Sequence, residues 1–307
     1  MELSRTIENN SADKCSYTKF FIHNLTSKID MLQTLRKHYP EYLMEAACLG
    51  IFLILATVVT AVVEHPSSVI KKTVTEPILR RLLIGIAMGL IAIAIVYSPW
   101  GKQSGAHINP VVTFTFFRLG KIKLWDAIFY ILAQFFGGLM GLMLAVAFLG
   151  NAITHPSVNY IITIPGVGGT SVAFFAEIII SFGVMLMILF VSNTPKIAPF
   201  TGIFAGILIA IYITIEAPLS GMSMNPARTL ASAIPSRNWT DIWVYFTAPF
   251  LGMLSAAEVY VRLKGKRAVR CAKLHHHNNK RCIFRCGYSH LETDQKQWLL
   301  SDRLPGS

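Results

Sequence analysis

Six long apolar runs set the terms for any fold this chain can adopt. Residues 43–63, 82–98, 125–149, 171–192, 200–215 and 241–261 are almost free of charge. A helix needs about 20 mostly apolar residues to cross the hydrocarbon core of a bilayer. Each run meets that length or comes near it; the fifth is short, ending before Glu216. Lipid offers the backbone no hydrogen bonds, so runs of this kind are helices. Composition agrees: 53% of the 307 residues are hydrophobic and 14% charged, against about 25% charged in an ordinary soluble domain. The expectation is an all-α membrane protein with six transmembrane helices.

The first 40 residues are not a signal peptide. They carry Glu2, Glu8, Asp13 and Asp30 and no apolar core. Leu25, Ile29 and Leu32 recur at helical spacing, which predicts an amphipathic helix at the membrane surface ending near Pro40. The net charge is +12. Arg262, Lys264, Lys266, Arg267, Arg270 and Lys273 follow the last span, so by the positive-inside rule the C-terminus is cytoplasmic. Six crossings then put the N-terminus on the same side, where Lys14, Lys19, Lys28, Arg36 and Lys37 agree. The connection 64–81 disagrees: it holds Lys71, Lys72, Arg80 and Arg81 on the opposite side. A basic tail beside a membrane points to anionic lipid rather than nucleic acid. Cys15, Cys48, Cys271, Cys282 and Cys286 make no even set on an oxidising side, and disulfides are not expected.

The chain repeats itself. HINPVVTFTFFRLGKIKLWDAIFYILAQFFGGLMG matches MSMNPARTLASAIPSRNWTDIWVYFTAPFLGMLSA: each has Asn-Pro, a short apolar segment, a polar break, a tryptophan and a span with glycines. Each half also opens with a glutamate inside an apolar run, Glu45 and Glu177. Three spans per half is odd, so the second half, about 171–262, is inverted relative to the first, about 41–150. Asparagine caps a helix and proline suits its first position. The segments after Pro110 and Pro226 run about ten residues, which at ~1.5 Å each reach halfway through the ~30 Å core. Two half-helices entering from opposite faces meet at mid-membrane, where irregular backbone has to line a watery cavity or be buried in protein.

Residues 41–265 resemble the major intrinsic protein family, the aquaporins and aquaglyceroporins, on SGAHINPVVT (104–113), SGMSMNPARTL (220–230), Glu45 and Glu177. The resemblance implies an aquaporin-like right-handed bundle with two re-entrant half-helices, one pore per subunit, a homotetramer, and no enzyme activity or required cofactor. It also implies a passive channel. The first motif departs from the family's usual Asn-Pro-Ala: Asn109, Pro110 and Val111 stand where the second has Asn225, Pro226 and Ala227. In the pore so implied, Asn109 and Asn225 donate amide N–H groups to a passing water. The two positive helix ends repel cations. Carbonyls of Gly105, Ala106 and His107, and of Gly221, Met222 and Ser223, accept its hydrogens. Arg228, costly at that depth unless it lines water or pairs with a carboxylate such as Glu216, takes the filter role, with Met88, Ile213 and Met222 as the other filter positions. Met88 and Ile213 could equally pack against lipid or core. His107, Glu45 and Glu177 are read as structural supports of the loops.

Met88 and Ile213 stand where water-selective members typically show an aromatic residue and a histidine. Thr229, in place of the aspartate usual in aquaglyceroporins, together with Ala233 and Tyr245-Phe246, favours water. The expectation is a water channel that leaks small neutral solutes and excludes protons and ions, in a plasma or inner membrane. A channel mainly for glycerol or ammonia is the alternative, and a non-conducting structural protein a remote one. The tail, 266–307, contains CAKLHHHNNKRCIFRC; Cys271, His275 or His276, Cys282 and Cys286 could form a tetrahedral zinc site, against a plain basic tail in which these residues are incidental.

Overall fold

The computed structural model describes the backbone of residues 2–288 and the side chains of residues 28–288. It divides into two units, residues 1–39 and 40–307. No strand occurs among the described residues. The principal helices are α1 (Glu2–Glu64), α2 (Pro77–Tyr97), α3 (Pro110–Arg118), α4 (Leu124–Leu149), α5 (Gly169–Ser192), α6 (Thr201–Ile215), α7 (Pro226–Ser236) and α8 (Ile242–Lys264). Six helical segments are long and apolar enough to cross a membrane: Lys28–Glu64, α2, α4, α5, Ala198–Ile215 and α8. They coincide with the six runs in the sequence. Short α3 and α7 lie between them.

Pro40 does not end a helix. It sits inside α1. Proline deletes one ladder hydrogen bond and crowds one carbonyl, but the apolar residues that follow have no other way to satisfy their backbone. Leu25 and Trp298 lie outside the described side chains; Ile29 and Leu32 are half exposed.

The half-helices start as their sequence dictates. Asn109 is extended and its Oδ1 accepts from Val111 N at 2.8 Å; Asn225 accepts from Ala227 N at 3.0 Å and Arg228 N at 3.3 Å. A proline follows each, at a position where its missing N–H costs nothing. Nine and eleven residues give lengths near 14 and 17 Å at ~1.5 Å per residue, about half a bilayer core.

Helix pairs close on glycine at equivalent places in the two halves. A Cβ on Gly137 of α4 would lie 2.1 Å from the carbonyl oxygen of Ala46 on α1. A Cβ on Gly252 of α8 would lie 2.4 Å from that of Ile178 on α5. Ala46 and Ile178 each follow the buried glutamate of their half, so the same contact sets the depth of both glutamates. α2 packs against α6 through Gly89 and Gly206 in the same manner.

The discordant basic connection is partly compensated within itself. Glu64, at the end of α1, pairs with Lys71 and with Arg80 Nε at 2.9 Å. Arg80 Nη1 also donates to the carbonyls of Val74 and Thr75 at 2.8 and 2.6 Å.

Candidate functional site

The loops before α3 and α7 hold the chemistry. Each runs through the same backbone conformations, counted back from its asparagine. Gly105, Ala106 and Ile108 have positive φ of 102°, 55° and 42°; Gly221, Met222 and Met224 have 81°, 52° and 54°. Non-glycine residues in this region cost of order 1–3 kcal/mol each, so something must hold them there.

Buried side chains do so, in matched pairs. Tyr130 on α4 donates to Ser104 O at 2.7 Å; Tyr245 on α8 donates to Ser220 O at 2.6 Å. Ser104 Oγ accepts from Ala106 N, and Ser220 Oγ from Met222 N. Thr113 meets His107 Nδ1 at 3.0 Å; Thr229 meets Ser223 Oγ at 2.6 Å. Glu45 accepts from Ile108 N, and from Gln134 Nε2 at 2.9 Å. Glu177 accepts from Ser223 N and Met224 N, both at 2.7 Å, and from Ser220 Oγ at 2.7 Å. His107 Nε2 faces the carbonyl of Ala272 at 2.8 Å. A carbonyl only accepts, so Nε2 carries the proton and Nδ1 accepts from Thr113.

The two loops meet through their asparagines. Asn109 Nδ2 donates to Met224 O at 2.8 Å, and Asn225 Nδ2 donates to Ile108 O at 2.7 Å. Each amide thus binds the carbonyl just before the other asparagine. An amide nitrogen carries two hydrogens, so one N–H of each remains for the space beside it.

That space is a cavity of about 340 Å3. Asn109, Asn225, Ala106, His107, Gly221, Met222 and Ser223 line it, and so do Met88, Ile213 and Arg228. Arg228 Nη1 is buried without a protein hydrogen-bond partner, and no Arg228–Glu216 ion pair occurs among the described residues. Glu216 instead lies 2.5 Å from Ser220 Oγ, whose single hydroxyl hydrogen it shares with Glu177. Gly105 is a correction: it is not part of the lining, and its carbonyl accepts from Leu274 N at 3.1 Å. Val111 is fully buried and does not line the cavity; Val112 does. The extra bulk at this motif is absorbed by the core.

The sequence alone gives no loop-supporting role to Ser104, Thr113, Tyr130, Gln134, Ser220 or Thr229. Five of them could be found from the repeat, because the two serines and the two threonines stand at equal offsets from the asparagine of their half, and the two tyrosines within one residue of equal offset. Gln134 has no such twin.

The described part of the tail folds onto the first loop. Leu274 joins the cavity lining, Phe284 stacks on His107 with ring centroids 5.3 Å apart, and Arg281 pairs with buried Glu41 at 2.5 Å. Cys271, His276, Cys282 and Cys286 place one ligand atom each within 4.8 Å of one another. The histidine of this group is His276, not His275, which stacks edge-on against Tyr97 at 5.0 Å. A hydrogen bond from Cys271, then one from Cys282, holds the Cys286 thiol well below its usual range, while hydrogen bonding to Cys282 pushes Cys271 up. Burial works to lower the His276 imidazole, but hydrogen bonds to Cys282 and Cys286 outweigh it and raise it to about 9.

The profile of the major intrinsic protein family matches residues 33–260, most of the chain. The chain belongs to the major intrinsic protein family. Curated relatives of this major intrinsic protein include aquaporin NIP6-1 of Arabidopsis thaliana, 38% identical over 184 residues (59% of this chain, 58% of the relative). A probable NIP-type aquaporin of Nicotiana alata is 38% identical over 178 residues (58% and 64%). The aligned parts thus span about six tenths of the relatives' length. Among solved structures, the aquaglyceroporin of Plasmodium falciparum superposes with a TM-score of 0.60 at 20% identity, covering 73% of this chain and 95% of that one. That likeness speaks to the fold.

Proposed function

We propose that this protein is a passive membrane channel for water and small neutral solutes. The observation that carries the reading is the reciprocal pair of asparagine hydrogen bonds beside a cavity that Arg228 also lines. Two helix N-termini converge there, each equivalent to roughly half a positive charge. A cation in the cavity faces both of them and an arginine. A water molecule that accepts from the free N–H of each asparagine has both lone pairs engaged, so it donates to its neighbours in the file but accepts from neither, which interrupts proton conduction. Pore width, lining donors and an electrostatic barrier together set selectivity in such channels.

Water is the favoured cargo, with leak of small neutral solutes. Met88, Ile213 and Met222 give the cavity an apolar wall, which also suits glycerol or ammonia; the names of the relatives and of the solved neighbour point to both kinds of channel. Met88, Ile213, Met222 and Arg228 act as the filter. Both termini face the cytoplasm, and four copies assemble in the membrane with one pore each. Stopped-flow measurement on proteoliposomes tests the reading: osmotic shrinkage should outpace protein-free vesicles, and uptake of water, glycerol and ammonia should rank the cargoes. Shrinkage at the protein-free rate by the inserted, plug-released protein described below overturns it.

A further inference from the structure

The tail cluster is unabsorbed by any channel mechanism, yet it is built like a closed metal centre. Cys271 Sγ and Cys282 Sγ lie 3.6 Å apart, and Cys286 Sγ lies 3.7 and 3.5 Å from the two ring nitrogens of His276. Zinc–sulfur bonds of about 2.3 Å put two sulfurs of a tetrahedron about 3.8 Å apart. Two edges of such a tetrahedron therefore already stand near their length, and all four ligand atoms lie within 4.8 Å of one another. Two thiols also receive backbone N–H groups two residues on: Lys273 N to Cys271 Sγ at 3.5 Å, and Tyr288 N to Cys286 Sγ at 3.4 Å. These donors suit thiolates, and ligand-orienting contacts of this kind are usual around a bound metal. Tyr288 stacks flat on His276 at 4.5 Å and is itself tied to Ser192 O at 3.0 Å. Three sulfurs and an imidazole form a soft, four-ligand donor set that fits structural zinc. Three thiolates with one divalent ion leave a single negative charge, among Lys121, Lys273 and Arg270.

The segments between these ligands are the ones that touch the pore loop. Between Cys271 and His276, Ala272 O accepts from His107, Leu274 N donates to Gly105 O, and the Leu274 side chain reaches the cavity. Between Cys282 and Cys286, Phe284 lies on His107 and edge-on to Tyr130 at 5.7 Å, and Arg285 N donates to Lys121 O at 2.9 Å. Buried Lys273 Nζ donates to the carbonyls of Lys280 and Arg281, bridging the two segments. The run of α2 fixes which end is covered: Arg81, near its start, lines one end of the cavity, and Val96, near its finish, lines the other with Leu274.

We propose that Cys271, His276, Cys282 and Cys286 bind one zinc ion, and that the ion fixes the tail as a plug over the pore mouth on this face. The metal half stands alone; the plug half rests on the channel reading. Loss of the ion leaves two short loops joined by Lys273 and by Gly287 N to Arg270 O at 2.7 Å, and the tail lifts from His107 and Gly105.

The test uses the full-length protein, purified under reducing conditions. Elemental analysis is expected to give one zinc per chain, lost in Cys282→Ser and Cys286→Ser. In proteoliposomes, a membrane-permeant chelator should raise osmotic water flux at least about fivefold, the lower end of ordinary coupling between two sites, and zinc chloride should restore the slow rate. Phe284→Ala keeps the metal ligands, so it should retain zinc yet conduct faster, which covers the case in which the cysteine variants do not fold. Zinc absent under reducing conditions, or a Cys271–Cys282 disulfide in its place, overturns the metal site. Zinc bound with flux above protein-free vesicles but unchanged by chelator and by Phe284→Ala overturns the plug. Protein-free flux in every state, zinc bound or removed, overturns the channel reading and the plug with it, and leaves the zinc stoichiometry to decide the site.

Discussion

The loop that leads into α3 and the loop that leads into α7 share one backbone and two different support systems. Both carry positive φ at the same three places, both hang from a tyrosine, and both lean on a buried glutamate. The second loop is held by the spans and by the connection before α5. Glu177 takes two of its backbone N–H groups and shares the Ser220 hydroxyl with Glu216, and Thr229 links Ser223 to Thr163. In the first, Glu45 takes one backbone N–H and one side-chain amide, while His107 and Gly105 reach outside the repeat to the tail. Inverted copies of one motif have therefore diverged in what restrains them: one is fixed by the bundle and the connection before α5, the other partly by the tail.

The largest test of that contrast is Glu177→Ala. Two buried backbone donors lose their acceptor, at about 1–3 kcal/mol each, while Ser220 keeps Glu216, so stability should fall by at least about 2 kcal/mol. Glu45→Ala should cost clearly less, and thermal unfolding of the two variants in detergent compares them. Equal losses would break the asymmetry. Next come Gly137→Ala and Gly252→Ala, which drive a methyl into a facing helix backbone. Overpacking of this kind costs about 1–3 kcal/mol, and the two should match, because this part of the repeat has not diverged. Smaller still, Tyr130→Phe and Tyr245→Phe each remove one hydrogen bond worth about 1 kcal/mol; a drop in melting temperature confined to one would show that the hangers are unequal. The smallest effect is a gain. Ala106→Gly relieves a left-handed alanine and should stabilise by up to about 1 kcal/mol, readable in the same melting curves.

Much of this was legible in the chain because lipid and repetition both leave strong marks. Apolar runs gave the spans, and the paired Asn-Pro motifs with Glu45 and Glu177 gave the half-helices and their meeting point. What escaped notice depends on contacts that no local pattern encodes. Pro40 reads as a stop, yet the apolar residues beyond it keep α1 helical. The Gly105 carbonyl reads as pore lining until a tail residue 169 positions later takes it. Of adjacent His275 and His276, only the course of an irregular loop decides which faces the cysteines. Thr229 and Tyr245, read as signs of cargo preference, turn out to hold the loop in place.

The crossed asparagine amides bear on the order of biosynthesis. The acceptor for Asn109 lies 115 residues downstream, and that for Asn225 lies 117 residues upstream. While the ribosome is still making the second half, the first re-entrant stub can be threaded into the bilayer but its tip has nothing to grip. Maturation of the conduit is accordingly a late, single event, and a chain truncated before Met224 would leave a stub without its keystone however well its first three spans were inserted.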